Sequence, residues 1–228
     1  MRGRSRGGAL TRILLTGFGS FPGAPFNPTR AIVRVLSRRN RPALQRAGID
    51  LRVAILPVVY DAIEAALEDH IERNVPDIIV LLGLAAQRTS VSVETRAQNR
   101  LSIIHPDADG SLARRREVTP GHAPAMAARW PAAQLANAIR AVGVRARLSR
   151  DAGDYLCNQA LYLALQKHHG LCGFIHVPLL RRKLPLCHNC FSGDVANHDL
   201  PTFAEVETAV ARVLRHLAVE HRRVSGRK

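Results

Sequence analysis

A thiol, an imidazole and a carboxylate are the side chains of this sequence best suited to nucleophilic chemistry. Cys157 stands three residues after Asp154, and it lies in the first turn of a predicted helix if Asp154 caps that helix. The start of a helix favours an anion and lowers the pKa of a thiol, and the thiolate is the nucleophilic form of cysteine. Cys157 is therefore a candidate nucleophile. The local sequence leaves a second interpretation open, in which Cys157 is a small buried apolar residue.

His176 and Glu94 could complete a nucleophilic site. His176 lies in the apolar segment 174–178, and Glu94 follows the alternating residues 91–93. An imidazole can take the proton of a thiol, and a carboxylate can orient that imidazole. Taken singly, His176 could equally be a core residue and Glu94 a surface charge, because sequence spacing does not show a contact.

The alternation of strand and helix patterns predicts which elements position these side chains. Short apolar or alternating runs predict strands, and apolar stripes at helical spacing predict helices. The order favours the α/β class, as a single domain whose largely parallel, twisted sheet carries helices on both faces. The predicted strands span residues 13–16, 51–59, 78–82, 90–94, 144–148 and 173–177; one predicted helix begins near residue 28, and the others span 61–73, 131–142, 151–167 and 202–220.

The predicted domain covers residues 13–221. The segments on either side are rich in arginine, so residues 1–12 are interpreted as a disordered basic tail and residues 222–228 as a second basic tail. Within the domain, residues 101–129 contain several prolines and glycines. This composition predicts a long irregular connection, a kind of segment that is often functional or mobile.

The carboxyl ends of the predicted strands bring the candidate residues to one edge of the sheet. Glu94 ends one strand and His176 lies at the end of another, while Cys157 opens the helix that follows a third. Phe18 and Phe21 follow the first strand. In open α/β sheets ligands bind beyond the carboxyl ends of the strands, so we expect these side chains to lie close together there.

The charge of the chain is its most unusual bulk property. Its 228 residues include 33 lysines and arginines against 18 aspartates and glutamates, for a formal net charge of +15. A basic protein can bind nucleic acid through phosphate contacts. Here the arginines are scattered over both ends and several predicted loops, and only 4% of the residues are aromatic. We therefore do not expect specific nucleic-acid binding and interpret the charge as a solvated surface.

The hydrophobic segments predict neither a membrane span nor a secretion signal. No apolar run approaches the roughly 18 residues that a membrane span requires. The run at 13–15 that follows the basic N-terminus is shorter than the roughly 7–15 apolar residues of a signal peptide. We expect a cytoplasmic protein without membrane association, in which the four cysteines are reduced.

Cys187 and Cys190 form a C-x-x-C pair with His188 between them and His198 downstream. Such a cluster could hold zinc or act as a redox pair. A closed zinc site needs four ligands, and the sequence has no second C-x-x-C. We therefore expect neither a metal nor another cofactor, and the pair is interpreted as part of a loop.

Four segments, taken together and in order, resemble pyroglutamyl peptidase type I, also called pyrrolidone-carboxylate peptidase. The first is LTGFGSFPG at 15–23 with NPT at 27–29, and the second is GLAAQR at 83–88 with ETRAQN at 94–99. The third is DAGDYLCN at 151–158, and the fourth is GFIHVP at 173–178. The order and spacing resemble the family from about residue 13 to residue 217.

The resemblance implies a cysteine peptidase that removes an N-terminal pyroglutamyl residue from peptides, with a triad of Cys157, His176 and Glu94. It also implies an apolar slot for the lactam ring and a turn at 83–88 whose backbone groups bind the lactam. The family is soluble, needs no metal and commonly forms homo-oligomers, so a tetramer or dimer is expected. The candidate substrate-binding residues are Phe18, Phe21, Asn27, Leu84, Arg88, Tyr155 and Leu156.

The chain departs from the family pattern at Pro22, Thr95 and Asp154. An acid three residues before the thiol is expected to disfavour the thiolate, because like charges repel. Two other functions stay open at this point. One is a cysteine hydrolase of the same fold that acts on a different acyl-amide, and the other is an inactive homologue that binds polyanions.

Overall fold

The computed structural model describes residues 10–21, 24–181 and 199–226. Strands and helices alternate along most of these ranges. The strands are β1 (Thr11–Phe18), β2 (Ile49–Leu56), β3 (Ile78–Leu84), β4 (Val91–Glu94), β5 (Arg96–Gln98), β6 (Ala125–Ala127), β7 (Ala146–Ser149) and β8 (Leu171–Val177). The helices are α1 (Pro28–Arg38), α2 (Arg41–Arg46), α3 (Ile63–Asn74), α4 (Ala132–Arg140), α5 (Leu156–Lys167) and α6 (Phe203–Ser225).

Six of the strands form one sheet in the order β2-β1-β3-β8-β4-β7. The pairs from β2 through β8 are parallel, as is the pair of β4 with β7, but β4 runs antiparallel to β8. The sheet is therefore mixed, with mostly parallel pairing. The antiparallel contact brings the residues near the end of β8 against the middle of β4, which is where the site is built.

Two apolar cores, one on each face of the sheet, hold the layers together. Helices α1, α2, α4 and α6 bury apolar side chains on one face, and α3 and α5 do so on the other. Strand β3 is buried along residues 78–83, as expected for a strand covered on both sides. This architecture confirms the predicted α/β class with helices on both faces.

The predicted boundary of the N-terminal tail at residue 12 is wrong, because Thr11 and Arg12 belong to β1. The backbone N–H of Thr11 donates to the carbonyl of Gly48 at 2.8 Å, and that of Arg12 donates to the carboxylate of Asp77 at 2.8 Å. These two hydrogen bonds hold the start of β1 to residues that are distant in sequence. The basic composition of the N-terminus does not indicate such contacts.

The predicted C-terminal tail at 222–228 also begins too early, because α6 continues to Ser225. The helix starts at the predicted place, where Thr202 and Glu205 form a capping box. Arg222 and Arg223 lie in the last turn, where positive charge is favourable beside the helix C-terminus. The guanidinium of Arg222 also donates to the hydroxyl of Thr11 at 3.4 Å, which ties this turn to β1.

The predicted irregular connection at 101–129 contains a strand. Residues of β6 pair antiparallel with β5, with Met126 opposite Ala97. The strand is short and mostly exposed, so it lacks the apolar run that reveals a strand in sequence. Within the described ranges, no helix combines the length and apolar character that crossing a bilayer requires.

Candidate active site

Gly83, His176 and Cys157 meet near the carboxyl ends of the two central strands. His176 on β8 is the register partner of Gly83 on β3. A β-carbon added at Gly83 would lie 2.7 Å from the sulfur of Cys157 and 2.5 Å from the ring of Phe174. Only a residue without a side chain leaves room for the thiol there. The thiol therefore lies over Gly83, beside the strand that carries the imidazole.

Glu94 at the end of β4 holds the imidazole of His176. The Nδ1 atom of His176 lies 2.8 Å from Oε1 of Glu94, and the side chains are 5% and 0% exposed. Since Nδ1 hydrogen bonds to a carboxylate, it carries the proton, and Nε2 is the ring nitrogen left for the thiol. The predicted carboxylate and imidazole thus contact each other directly.

Arg88 is the second partner of Glu94. Its guanidinium donates to the same Oε1 at 2.6 Å and to the backbone carbonyl of Asp151 at 2.7 Å. An ion pair that is mostly shielded from water can hold a carboxylate in its charged form. Arg88 was predicted to bind substrate, which stays a prediction; in the structure its two terminal nitrogens donate to Glu94 and to the loop after β7.

The protonation states of this pair follow from burial and hydrogen bonding. Burial alone would raise the pKa of Glu94, but the hydrogen bond and charge of His176, together with the hydrogen bond from Arg88, hold that pKa below its ordinary value. Burial lowers the pKa of His176 and outweighs the opposing effect of Glu94. At neutral pH the site therefore holds an ionised carboxylate and a neutral imidazole.

The pKa of Cys157 moves in the direction opposite to the one predicted from its position at a helix start. Burial raises the pKa of the thiol to about 12; the charge of Glu94 adds to the rise and that of Arg88 reduces it. The charge that disfavours the thiolate is thus the carboxylate of Glu94, whereas Asp154 was the acid expected to do so. At neutral pH Cys157 is a thiol.

The local structure around Cys157 differs from the predicted helix start. Helix α5 begins at Leu156, with Tyr155 as its N-cap residue, so the predicted start at residue 151 and the capping role of Asp154 are wrong. Gly153 takes a positive φ of 84°, which breaks the backbone before the helix. Cys157 nevertheless lies in the first turn, as predicted, and that turn has no side-chain cap.

Several aromatic rings lie near the imidazole and the start of α5. Phe18 packs against Phe174 at 6.3 Å between ring centroids, and Phe174 packs against His176 at 4.6 Å. Phe21 packs against Tyr155 at 6.0 Å, beside the start of α5. Phe18 therefore reaches the imidazole through Phe174, and Phe21 packs at the start of the helix that carries Cys157.

The remaining predicted substrate-binding residues are placed less directly. Asn27 caps α1 by accepting a hydrogen bond from the N–H of Thr29, and its amide donates to the carbonyl of Gly19 at 3.1 Å, so its polar atoms organise the loop after β1. Leu84 ends β3 and is half-buried. Leu156 is buried in the core, so its side chain supports α5.

Known proteins resemble this chain in sequence along most of its length. The family model for pyroglutamyl peptidase matches residues 11–211. This chain belongs to the pyroglutamyl peptidase family. It is 32% identical over 180 residues to a pyrrolidone-carboxylate peptidase of Pyrococcus furiosus, which covers 76% of this chain and 83% of that protein. It is 34% identical over 174 residues to a protein of the same name from Gloeobacter violaceus, which covers 74% of this chain and 82% of the other.

Solved structures show the same likeness. The pyrrolidone carboxyl peptidase of Thermus thermophilus matches with a TM-score of 0.74 and 32% identity, over 90% of this chain and 99% of that one. The enzyme from Fervidobacterium islandicum matches with a TM-score of 0.79 and 29% identity, over 91% and 98% of the two chains. As a member of the pyroglutamyl peptidase family, the protein is a cysteine peptidase.

Several residues of this family member support the site without having been predicted to do so. Asn158, next to Cys157, is buried and exchanges hydrogen bonds with the backbone of Gln98 at 2.8 Å, and also donates to the carbonyl of Arg100. This clamps β5 to the start of α5. The indole of Trp130 donates to the backbone carbonyl of Glu94 at 3.1 Å.

Two further residues had a signal in the sequence. Phe174 stands two residues before His176 on the same strand, and the period of two places both side chains on one face of the sheet. Tyr60 follows the second predicted strand and packs edge-on against Tyr155 at 5.7 Å. Both could have been found by applying strand periodicity and the rule for strand ends to aromatic residues.

The structure gives no support to a metal centre in the part of the chain that it describes. In residues 10–21, 24–181 and 199–226, no group of three or more histidine, cysteine or acidic side chains could hold a metal ion. The C-x-x-C pair at Cys187 and Cys190, with His188 and His198, lies outside the described residues. The departure at Pro22 lies outside them as well.

Proposed function

We propose that this chain removes an N-terminal pyroglutamyl residue from peptides, with Cys157 as nucleophile, His176 as general base and acid, and Glu94 as the carboxylate that orients the imidazole. One observation carries the assignment. The buried Glu94–His176 hydrogen bond lies beside a thiol that is packed over Gly83 at the start of α5. Membership of the pyroglutamyl peptidase family supports the choice of substrate.

The protonation states define the order of steps. Cys157 and His176 are both neutral in the free protein, so the thiol proton moves to Nε2 of His176 as the sulfur attacks the pyroglutamyl carbonyl. The carboxylate of Glu94 then faces an imidazolium and stabilises it. His176 next donates the Nε2 proton to the departing amine as the carbon–nitrogen bond breaks, which leaves a thioester on Cys157.

Hydrolysis of the thioester completes the cycle. His176 takes a proton from a water molecule that attacks the acyl carbon, and returns it to the sulfur as the carbon–sulfur bond breaks. The products are free pyroglutamate and the shortened peptide. In both halves of the reaction Nδ1 stays bonded to Glu94, so a single ring nitrogen carries every proton transfer.

The start of α5 supplies donors for the negative charge that develops on the carbonyl oxygen. The first backbone N–H groups of a helix have no partner within the helix, and they favour an anion. The first turn of α5 carries no side-chain cap, so these groups are not covered by one. We assign the backbone N–H of Cys157 to the oxyanion.

A neutral, flat lactam fits the surroundings of this thiol. We assign Phe18, Phe21 and Tyr155 to its walls, because aromatic faces suit an apolar ring that carries few polar groups. In the turn at 83–88 the N–H groups of Ala85 and Arg88 already donate to backbone carbonyls. Backbone groups elsewhere in that turn are the ones that we assign to the lactam.

We also propose that the protein works in the cytoplasm as a homo-oligomer. The support is the behaviour implied by the family resemblance, together with large apolar side chains that the monomer leaves exposed at Ile103, Ile104 and Leu112. Light scattering coupled to size-exclusion chromatography measures the mass directly. A single 25.0 kDa species at micromolar concentration would overturn the oligomer.

The test of the main proposal is release of a fluorophore from a pyroglutamyl amide under reducing conditions. We expect release by the parent protein and none by Cys157→Ala. The matched control is Cys172→Ala, since Cys172 is a buried thiol whose pKa is also raised to about 12, but it lies outside the proposed site. Release by the Cys157→Ala variant equal to that of the parent would overturn the assignment of Cys157 as the nucleophile. No release by the folded parent protein would overturn the proposal that the substrate is a pyroglutamyl peptide.

A further inference from the structure

One oxygen of the catalytic carboxylate has no partner among the described residues. The Oε1 atom of Glu94 accepts hydrogen bonds from both His176 and Arg88. The Oε2 atom is buried, and no described group donates to it. Because the side chain is fully buried, bulk water cannot solvate that oxygen, and an unpartnered charged oxygen is costly in such a place.

Ser149 is placed to donate to this oxygen. It is the register partner of Glu94 in the parallel pair of β4 and β7, so both side chains stand on the same face of adjacent strands. The hydroxyl of Ser149 now donates to the backbone carbonyl of Asp151 at 3.2 Å. The carbonyl of Asp151 also accepts a hydrogen bond from Arg88 at 2.7 Å, so it keeps a partner when the hydroxyl of Ser149 turns away.

Two other donors near Glu94 already donate elsewhere, and a third lies farther away than Ser149. The indole of Trp130 donates to the backbone carbonyl of Glu94 and the hydroxyl of Thr95 donates to the carbonyl of Ser149. The hydroxyl of Ser92 accepts a hydrogen bond from the guanidinium of Arg147 and keeps its own donor. Ser92 is two residues from Glu94 along β4, whereas Ser149 lies directly opposite Glu94 on the adjacent strand and is the nearer hydroxyl. A hydroxyl hydrogen rotates freely about its C–O bond, so Ser149 can redirect its donor without moving the backbone.

We propose that Ser149 is a positioning residue whose hydroxyl donates to Oε2 of Glu94 and fixes the plane of the carboxylate. This inference rests on the proposed roles of Glu94 and His176. With Oε2 held by Ser149, Oε1 remains directed at Nδ1 of His176. The same hydrogen bond offsets part of the negative charge of Glu94 while the imidazole of His176 is neutral. It also keeps the carboxylate ionised when His176 becomes an imidazolium.

The charged groups that face Glu94 set the sign of the effect. They are Arg88 from the turn after β3 and His176 from β8, with the thiol of Cys157 from α5; the exposed carboxylate of Asp151, after β7, acts on His176. Loss of a hydrogen-bond donor to a carboxylate raises its pKa, because the charged form loses stabilisation. The acidic limb of the activity profile must therefore move to higher pH when the hydroxyl is removed.

The experiment compares Ser149→Ala and Ser149→Thr with a matched control, Ser92→Ala, which removes a buried hydroxyl from the same face of the sheet. Two quantities are measured: the pH profile of kcat and KM on a pyroglutamyl amide, and the proton resonance of His176 Nδ1–H in protein labelled with ¹⁵N-histidine. The second measurement needs no turnover, so it reports on Ser149 even if the proposed substrate is wrong.

For Ser149→Ala we expect kcat to fall by about tenfold with KM almost unchanged, the rate equivalent of one hydrogen bond to a charged group. The acidic limb moves to higher pH and the Nδ1–H resonance shifts. Ser149→Thr, which keeps a hydroxyl, retains the parent profile and resonance. A Ser149→Ala variant with the parent resonance and profile overturns the proposal, and so does a Ser92→Ala variant that shifts both as far.

Discussion

The Nδ1 atom of His176 and the Oε1 atom of Glu94 are joined by a 2.8 Å hydrogen bond between two side chains that are almost fully shielded from solvent. The contact joins the end of β8 to the end of β4, where the two strands run antiparallel. It fixes which nitrogen carries the proton and leaves Nε2 for the thiol. The orientation of the imidazole thus depends on a carboxylate 82 residues away in sequence.

Glu94→Gln tests how much that carboxylate contributes. The amide keeps the size of the side chain but removes the charge that stabilises the imidazolium, and it leaves Arg88 without its ion-pair partner. We expect kcat to fall by roughly 10²- to 10⁴-fold, as for other residues that hold the imidazole of a triad. The assay is steady-state release from a pyroglutamyl amide.

The control is Asp151→Asn, which makes the same chemical change in an exposed carboxylate close to the site. Its side chain pairs with Arg100 at 3.1 Å on the surface, and such pairs contribute roughly 0–1 kcal/mol. We expect activity close to that of the parent. Equal losses in the two variants would show that removing any nearby negative charge has the same effect, and that the buried contact has no special role.

The raised pKa of Cys157 predicts how the free protein reacts with an alkylating agent. Burial and Glu94 keep the sulfur protonated at neutral pH, so the rate of alkylation by iodoacetamide should keep rising well above pH 9, towards a midpoint of about 12. Mass spectrometry identifies the modified residue at each pH. A plateau reached below pH 8 would show that the helix start dominates and that the resting site is a thiolate–imidazolium pair.

The residues of the proposed triad could be found from the sequence because strand ends are predictable. Glu94 and His176 lie at or near the ends of alternating or apolar runs, and this marked them as candidates. Their contact depends on the antiparallel pairing of β4 with β8, whereas the sequence predicted a meeting of parallel strand ends. The supporting contacts of Asn158 and Trp130 could not be found in this way. Each depends on a hydrogen bond between segments that are 36 or more residues apart, and no local pattern encodes such a contact.

The direction of the Cys157 pKa shift is a second case in which local reasoning failed. The position in the first turn of α5 was predicted, and position alone suggests a lowered pKa. The structure adds two facts absent from the local sequence, the depth at which the thiol is packed and the nearness of Glu94. Asp154, three residues away along the chain, proved less important than this carboxylate from another strand.

Gly83→Ala tests the close packing of the thiol. The new methyl group would lie 2.7 Å from the sulfur of Cys157 and 2.5 Å from the ring of Phe174, so one or both must move. We expect the free energy of unfolding to fall by about 1–3 kcal/mol, as for overpacking elsewhere. We also expect kcat to fall by more than the loss of folded protein explains, because the nucleophile is displaced. Urea unfolding and steady-state kinetics measure the two effects.

The matched control for stability is Gly19→Ala, because a β-carbon there would meet nothing within 4 Å. Its free energy of unfolding should stay close to that of the parent. If Gly83→Ala retains both full stability and full activity, the thiol cannot lie where the structure places it.

The buried histidines and Glu94 predict that stability falls in acid in two stages. The pKa of His176 is lowered in the folded state by burial, as is that of His168, so the unfolded chain binds more protons below the ordinary value of 6.5. The pKa of Glu94 is also lowered despite its burial, mainly by His176, so the unfolded chain binds a further proton below 4.5. Both contributions stabilise the fold at neutral pH and are lost as the pH falls.

We therefore expect the free energy of unfolding to be level from pH 8 to 7, to decline below pH 6.5 and to decline again below pH 4.5. Urea titrations at a series of pH values measure it. His176→Gln should reduce the first decline and leave the part that His168 contributes. His216→Gln, on the surface of α6, should leave the whole decline in place. A free energy that stays constant down to pH 5 would mean that both buried histidines accept protons in the folded protein, and that the neutral imidazole assigned to the resting site is wrong.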